Sequence, residues 1–235
     1  MNLVLLFNTD FIADDQVQLT DRRFEHIQQV HRAQVGDQLT VGLLNGQVGT
    51  GLILSLEDHA IVMSVSFHKA PPAPLPLTLI LALPRPRMLG RTLQHISTLG
   101  VKKLILLNTQ RVEKSYWMSP VLKPEKVEEH LILGLEQAKD TLMPELILEK
   151  NFQAFVEQRL PDLCQNSLGL VAHPGVPDAC PRAVTEQTTL AIGPEGGFIP
   201  TEIQQLTAAG LKPVHMGDRI MRVETAVTAL LARIF

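Results

Sequence analysis

The spacing of apolar positions changes at a proline-rich segment about one third of the way along the chain. Before it, residues 38–41 and 51–56 read as short strands around Asn45-Gly46 and Gly49, and residues 60–67 alternate apolar with small or polar side chains at period two. Glycines 42, 46, 49 and 51 supply hairpin turns. Phe24, Ile27 and Val30 recur at three-residue spacing, which predicts a short amphipathic helix with Thr20 as its N-cap. Residues 1–70 therefore predict a small β-rich barrel.

The segment 71–76 holds four prolines, at 71, 72, 74 and 76, which forbid helix and ladder pairing and leave a stiff extended connector. From residue 77 onward strands and helices alternate. Residues 77–83 are a continuous apolar run of strand length; Leu89, Leu93 and Ile96 mark one helix face, with Gly100 at the C-cap position. Strands are predicted at 103–107, 146–148, 168–172, 189–192 and 213–216, and helices at 124–139, 152–160, 200–209 and 223–235. This alternation predicts an α/β domain with a mainly parallel sheet over 77–235.

Composition narrows the class. The chain has 235 residues, 45% hydrophobic and 19% charged, enough to bury a substantial core. No apolar run has the length of a membrane span and no signal-peptide pattern develops at the start, so a cytoplasmic setting is expected. Cys164 and Cys180 are the only cysteines, too few for a disulfide framework or a four-thiolate zinc site, and are expected to be reduced structural thiols. The net charge of −3 argues against bulk electrostatic binding to nucleic acid. Its distribution is less neutral. From Arg85 to Lys114 seven basic residues face one acid, Glu113, a local net of +6; from Glu125 to Glu149 seven acids face two lysines, a net of −5.

Three loops after predicted strands are rich in glycine, proline and polar residues: 172–175, 192–198 and 216–226. In parallel α/β sheets ligands bind beyond the carboxyl ends of the strands, where these loops belong. Any one alone reads as an ordinary tight turn; three together point to a site where backbone groups meet a flat ligand. Phosphate and dinucleotide fingerprints are missing, as are a nucleophile elbow and a histidine cluster with metal-ligand spacing, so phosphoryl transfer, hydride transfer, triad hydrolysis and metal chemistry lack support.

The strings Ile192-Gly193-Pro194-Glu195-Gly196-Gly197-Phe198 and Met216-Gly217-Asp218-Arg219-Ile220-Met221-Arg222-Val223-Glu224-Thr225-Ala226 closely resemble the signature of SPOUT-class RNA methyltransferases. Within that class the chain resembles the ribosomal RNA small subunit methyltransferase E family, which makes N3-methyluridine in 16S rRNA. Residues 22–27 through Gly36-Asp37 look like that family's N-terminal PUA-like barrel. The resemblance implies a PUA-like β-barrel followed by an α/β domain with a deep trefoil knot over about 167–235, S-adenosylmethionine as cofactor, no metal, a homodimer, and 16S rRNA in the 30S subunit as partner.

It also implies site residues. His173, Pro174, Gly193, Pro194, Glu195, Gly196, Gly197, Met216, Gly217, Ile220, Met221, Arg222, Thr225 and Ala226 would hold the cofactor. Arg222 and Glu224 would stand at the methyl-transfer centre: Arg222 either stabilises negative charge on the uracil oxygens or pairs with Glu224 or Glu195 to shape the loop. Glu224 is either a proton acceptor or a first-turn helix residue. Arg22, Arg23, Arg32, Arg85, Arg87, Arg91 and Arg111 would meet RNA. The chain departs from the family's usual residues at His95, Thr98 and 138–142, which leaves open another RNA, another ring position, or a non-catalytic RNA-binding protein.

Overall fold

The structure, a computed structural model, describes residues 2–235. It divides into two compact units: the chain up to Ala73 together with Ile132–Met143, and Pro74–Leu131 together with Pro144–Phe235.

The first unit contains β1 (Val4–Leu6), β2 (Phe11–Ala13), β3 (Gln16–Leu19), α1 (Arg22–His26), β4 (Gln38–Leu43), β5 (Val48–Leu56) and β6 (Ile61–Lys69). Its strands form one curled half-barrel sheet, ordered β1-β4-β5-β6-β3-β2, with β1 parallel to β4 and the other neighbours antiparallel. The period-two pattern of β6 puts Ile61, Met63 and Val65 on the inner face, against Leu6, Val17, Val41, Ile53 and Phe24. Gly49 lies at a register shift between β5 and β6, where a Cβ would stand 1.9 Å from the Ser66 carbonyl oxygen. Only glycine permits that approach.

Two expectations are corrected here. Asp21 caps α1, its carboxylate accepting from the Arg23 amide at 2.9 Å, in place of Thr20. After His26 the chain widens into a π-helical turn, Ile27–His31, closed by Arg32 in the left-handed region. The wider turn breaks the three-residue stacking, so Ile27 is buried but Val30 is 65% exposed.

The segment 132–143 joins the first unit, although division at the proline linker assigned it to the second. Leu5 of β1 and Leu3 just before it pack against Ile132 and Leu135. The Asn2 and Leu3 amides donate to the Glu136 carbonyl at 3.1 Å, the Asn45 amide to the Thr141 carbonyl at 2.7 Å, and the Met143 amide to Asn45 Oδ1 at 2.9 Å. The Glu136 side chain is buried and receives both terminal nitrogens of Arg22, at 3.0 and 3.1 Å. Burial pushes its carboxyl above the usual range despite that guanidinium.

In the second unit follow β7 (Leu77–Ala82), α2 (Pro86–Thr98), β8 (Lys103–Leu107), α3 (Pro124–Ala138), β9 (Glu145–Glu149), α4 (Phe152–Gln158), α5 (Leu160–Cys164), β10 (Leu168–Ala172), β11 (Thr188–Ile192), α6 (Pro200–Ala208), β12 (Lys212–Val214) and α7 (Val223–Ile234). From Ile132 on, α3 belongs to the first unit. The strands are all parallel, ordered β12-β10-β11-β7-β8-β9, so every loop that follows a strand leaves at the same edge of the sheet. Central strands β7 and β11 are buried along their whole length, which explains why they show no polar alternation, with only Thr78, Thr188 and Thr189 among their apolar residues. One face is covered by Phe155, Val156, Leu160 and Leu206 from α4, α5 and α6. Leu89, Leu93 and Ile96 of α2 are buried, and α2 packs against α7.

The helix expected over 152–160 ends at Gln158 and a second starts at Leu160, because Pro161 in its first turn cannot continue the α-helical hydrogen bonding of its predecessor. The connection from β10 to β11 contains no helix and is tied down at several points. The Cys180 amide donates to the His215 carbonyl at 2.8 Å, Arg233 Nε to the Cys180 carbonyl at 2.7 Å, and the Val184 amide to the Ile234 carbonyl at 2.6 Å. Among the described residues no helix is long and apolar enough to cross a membrane.

Candidate functional site

Parallel strands bring the three loops together at the carboxyl ends of β10, β11 and β12, around a cavity of about 260 Å³. Ala172, Ile192 and Val214 end these strands against it; Val223, Ala226 and Leu230 of α7 form an apolar wall. The loop after β11 turns tightly, with the Gly197 amide donating to the Pro194 carbonyl at 2.7 Å and Gly197 at φ +70°. A Cβ on Gly193 would come within 3.0 Å of the Phe198 amide nitrogen, whereas the space facing Gly197 is open. The loop after β12 is held by the Gly217 amide donating to His215 Nδ1 at 2.9 Å, and the first loop by the His173 amide donating to the Val214 carbonyl at 2.9 Å.

Of the residues expected around the cofactor, His173, Pro174, Gly193, Pro194, Glu195, Gly196, Gly197, Met216, Gly217, Ile220, Met221 and Ala226 line this cavity. Arg222 and Thr225 do not, nor does Glu224. The helical period decides this: Val223, Ala226 and Leu230 share the inward stripe of α7, which turns Arg222 and Thr225 to the surface and leaves Glu224 half-buried. Arg222 is exposed at the N-cap of α7 and pairs with no acid among the described residues; Glu195 instead accepts from the Arg85 amide at 3.1 Å. Val214, His215 and Leu230 also line the cavity from outside the three loops, and Ala172, Ile192, Arg219 and Val223 line it from within them without having been expected as cofactor contacts. The strand ends were available from the hydrophobic runs, since the last residue of a parallel strand borders the crevice.

Charge near the cavity is partly internal. The Arg111 guanidinium donates to the Gly196 carbonyl, and the backbone amide of Arg85 donates to Glu195 with its guanidinium 4.0 Å away, so two residues expected to meet RNA also brace the glycine loop. Arg87 and Arg91 are exposed on α2, four residues apart on one face. In the first unit Arg32 is exposed and Arg22 is engaged by Glu136. Arg23 is corrected: it is 4% exposed, and its guanidinium is spent on Asp10 at 2.6 and 2.8 Å, Asp21 at 2.7 Å and the Leu5 carbonyl at 2.7 Å. Burial alone would weaken its proton affinity, but the two carboxylates more than reverse that. Arg23 is a core cation that joins β1, the Asn8–Asp10 turn and α1, with no donor face left for a phosphate. The departures divide similarly: His95 and Thr98 are exposed on α2, whereas Asp140 and Thr141 are buried. Both cysteines are free, and burial pushes both thiols up, away from nucleophilic thiolate character at neutral pH.

Known proteins carry the same architecture. The RNA methyltransferase domain family matches residues 71–235. Ribosomal RNA small subunit methyltransferase E of Treponema pallidum is 32% identical across 99% of this chain and 90% of its own length. The ribosomal RNA small subunit methyltransferase E of Neisseria gonorrhoeae, solved bound to S-adenosylmethionine, superposes with a TM-score of 0.74 at 21% identity, over 98% of this chain and 95% of that one. A Legionella pneumophila protein solved with bound cofactor S-adenosylmethionine gives 0.74 at 22% identity, covering 98% and 94%. With a glycine-looped cavity at the carboxyl edge of a parallel sheet, and relatives matched along nearly its whole length, the chain belongs to the ribosomal RNA small subunit methyltransferase E family of RNA methyltransferases.

Proposed function

We propose that this protein transfers a methyl group from S-adenosylmethionine to N3 of a uridine in 16S rRNA, within the assembled 30S subunit, as a cytoplasmic homodimer. The observation that carries the reading is the cavity itself. Its walls are backbone and apolar side chains, with Glu195, Arg219, His173 and His215 as its ionisable groups. That donor set fits the cofactor: Ile192, Val214 and Leu230 suit the flat adenine faces, open backbone at Gly197 suits its polar edge, and Arg219 suits the methionine carboxylate. When bound, the cofactor supplies an electrophilic methyl group on a sulfonium.

The residues of the chain have then to position the uracil and stabilise charge. Arg222 is the proposed partner of the uracil oxygens, because its guanidinium is exposed, has no acidic partner among the described residues and stands one residue before the cavity wall of α7. Glu224, in the first turn of the same helix, is the proposed acceptor of the N3 proton. Arg87 and Arg91, with Arg85 and Arg111 beside the loop, are proposed to meet phosphates. Arg22 and Arg32 do so in the first unit, read as a PUA-like RNA-binding domain. Ile220, 85% exposed on a cavity loop, supports a homodimer that covers it.

The knot is part of this proposal. The chain leaves edge strand β12, yet α7 packs two strands inward against β11 and its end is bonded to the loop that joins β10 to β11. A tail passing beneath that loop accounts for both facts. Incubating unmodified 30S subunits with the protein and cofactor, then mass-mapping the product, tests the function. A methyl on a 16S uridine N3 is expected; a methyl elsewhere, or none with cofactor binding intact, overturns it.

A further inference from the structure

A second cavity, of about 540 Å³, opens at the carboxyl ends of β8 and β9, on the other side of the glycine loop from the first. The two adjoin through one stretch of chain: residues 193–197 line the first, Ile199, Thr201 and Glu202 the second. The second is differently built. Lys114 and Lys150 stand exposed on its rim, while its one acid, Glu202, has both carboxylate oxygens taken by the Gln110 and Ile199 amides at 2.7 and 2.9 Å. The charge it offers a ligand is therefore positive. The Asn108 amide oxygen accepts from the Trp117 indole N–H at 2.8 Å, so its NH₂ remains as a donor. Phe152 adds an aromatic face.

One polar group in the wall is unpaired. Thr109 is 3% exposed, lines this cavity, and its hydroxyl has no hydrogen-bond partner. The oxygen itself is shut off from the cavity by its neighbours, so it is an unpaired group within the wall and meets no ligand.

We propose that this cavity binds a nucleotide of the substrate RNA next to the methylated one. Single-stranded RNA is recognised by splayed bases that stack on an aromatic ring and bond to amide side chains, with cations on the phosphate. Phe152 and Asn108 supply the first two, Lys114 and Lys150 the third. Its position fits a strand crossing the glycine loop: Arg111, whose neighbours Gln110 and Val112 line the second cavity, bonds to Gly196 of the first. The proposal rests on the RNA methyltransferase reading of the first cavity.

The single tryptophan is a local reporter, since Trp117 touches the wall of this cavity through Asn108. Uridine, cytidine, adenosine and guanosine 5′-monophosphates, ribose 5-phosphate and inorganic phosphate would each be titrated against the whole protein, following Trp117 fluorescence and calorimetry. At least one nucleotide should bind about fivefold or more tightly than ribose 5-phosphate, the least that one stacked base contributes. Lys150→Ala should weaken it, and Phe152→Leu, which keeps the apolar packing, should remove the preference over ribose 5-phosphate. Lys150→Ala should also raise KM for 30S subunits while leaving cofactor affinity unchanged. No saturable response, equal binding of ribose 5-phosphate, or a response untouched by Lys150→Ala overturns the proposal. Calorimetry with S-adenosylmethionine is read separately: failure there sinks the methyltransferase reading and leaves the nucleotide titration interpretable.

Discussion

Glu202 is buried in the first turn of α6, and its carboxylate holds two backbone amides that no helix or sheet can satisfy: Ile199 at 2.9 Å and Gln110 at 2.7 Å. It thus fastens the end of the glycine loop to the loop after β8. Replacement by alanine leaves both amides in a water-poor interior without acceptors. Two hydrogen bonds to a carboxylate, each with about 1.5–3 kcal/mol at stake, sum to roughly 3–5 kcal/mol once some water enters. Against a typical stability of about 5–15 kcal/mol that is a large fraction. The assay is urea unfolding followed through Trp117, whose indole is bonded to Asn108 two residues from Gln110. Glu202→Ala should move the midpoint down by about 1–2 M urea. Glu202→Gln keeps one acceptor but points an NH₂ at the other amide, and should lose about half as much or more. A midpoint for Glu202→Ala within about 0.3 M of the parent would refute the reasoning, because the two amides would then have found other acceptors at no cost.

Gly49→Ala should destabilise the first unit by at least about 3 kcal/mol, read as hydrogen-exchange protection lost in β5 and β6, since the added methyl collides with the Ser66 carbonyl at 1.9 Å. Arg23→Ala strands Asp10 in the interior and should cost about 3–5 kcal/mol of unfolding free energy. Measured where the variant is still folded, it should leave the salt dependence of RNA binding unchanged, whereas Arg87→Ala should make that dependence shallower. Asp21 has a lowered pKa: burial opposes ionisation, but hydrogen bonds from the Arg23 side chain and amide outweigh it. Its contribution is therefore present above the usual carboxylate range and lost as pH falls through and below it, and Asp21→Asn should flatten the acid limb of the stability profile. Arg222→Ala should lower kcat about 100- to 1000-fold while the cofactor Kd, measured by calorimetry, stays within a few fold; equal loss of both removes Arg222 from charge stabilisation.

Strand and helix identity in the second unit was legible because buried parallel strands and amphipathic helices write distinct apolar periods. Residues 77–82 and 188–192 could hardly be anything else once flanked by glycine and proline. The cavity loops were legible for a related reason: glycine and proline are selected where backbone must turn tightly, as at Gly197, or come close to another group, as at Gly193. The π turn after His26 was not, because nothing in the local sequence distinguishes a hydrogen bond five residues long from one four residues long.

What the sequence by itself determined is the element series, the three loops and the family signature, all set by short-range pattern. Only tertiary structure decided which side chains those elements present. Arg23 looked like its neighbour Arg22, yet one is sealed between Asp10 and Asp21 and the other is half exposed. Arg222 and Thr225 sit within the signature, but the turn of α7 directs Val223, Ala226 and Leu230 to the cavity instead. Residues 132–143 joined the first unit through amide and hydroxyl hydrogen bonds with partners some 95 or more positions away. Hydrogen bonds and ion pairs between distant segments leave no periodic mark on the chain; they exist only once folding has brought the partners together.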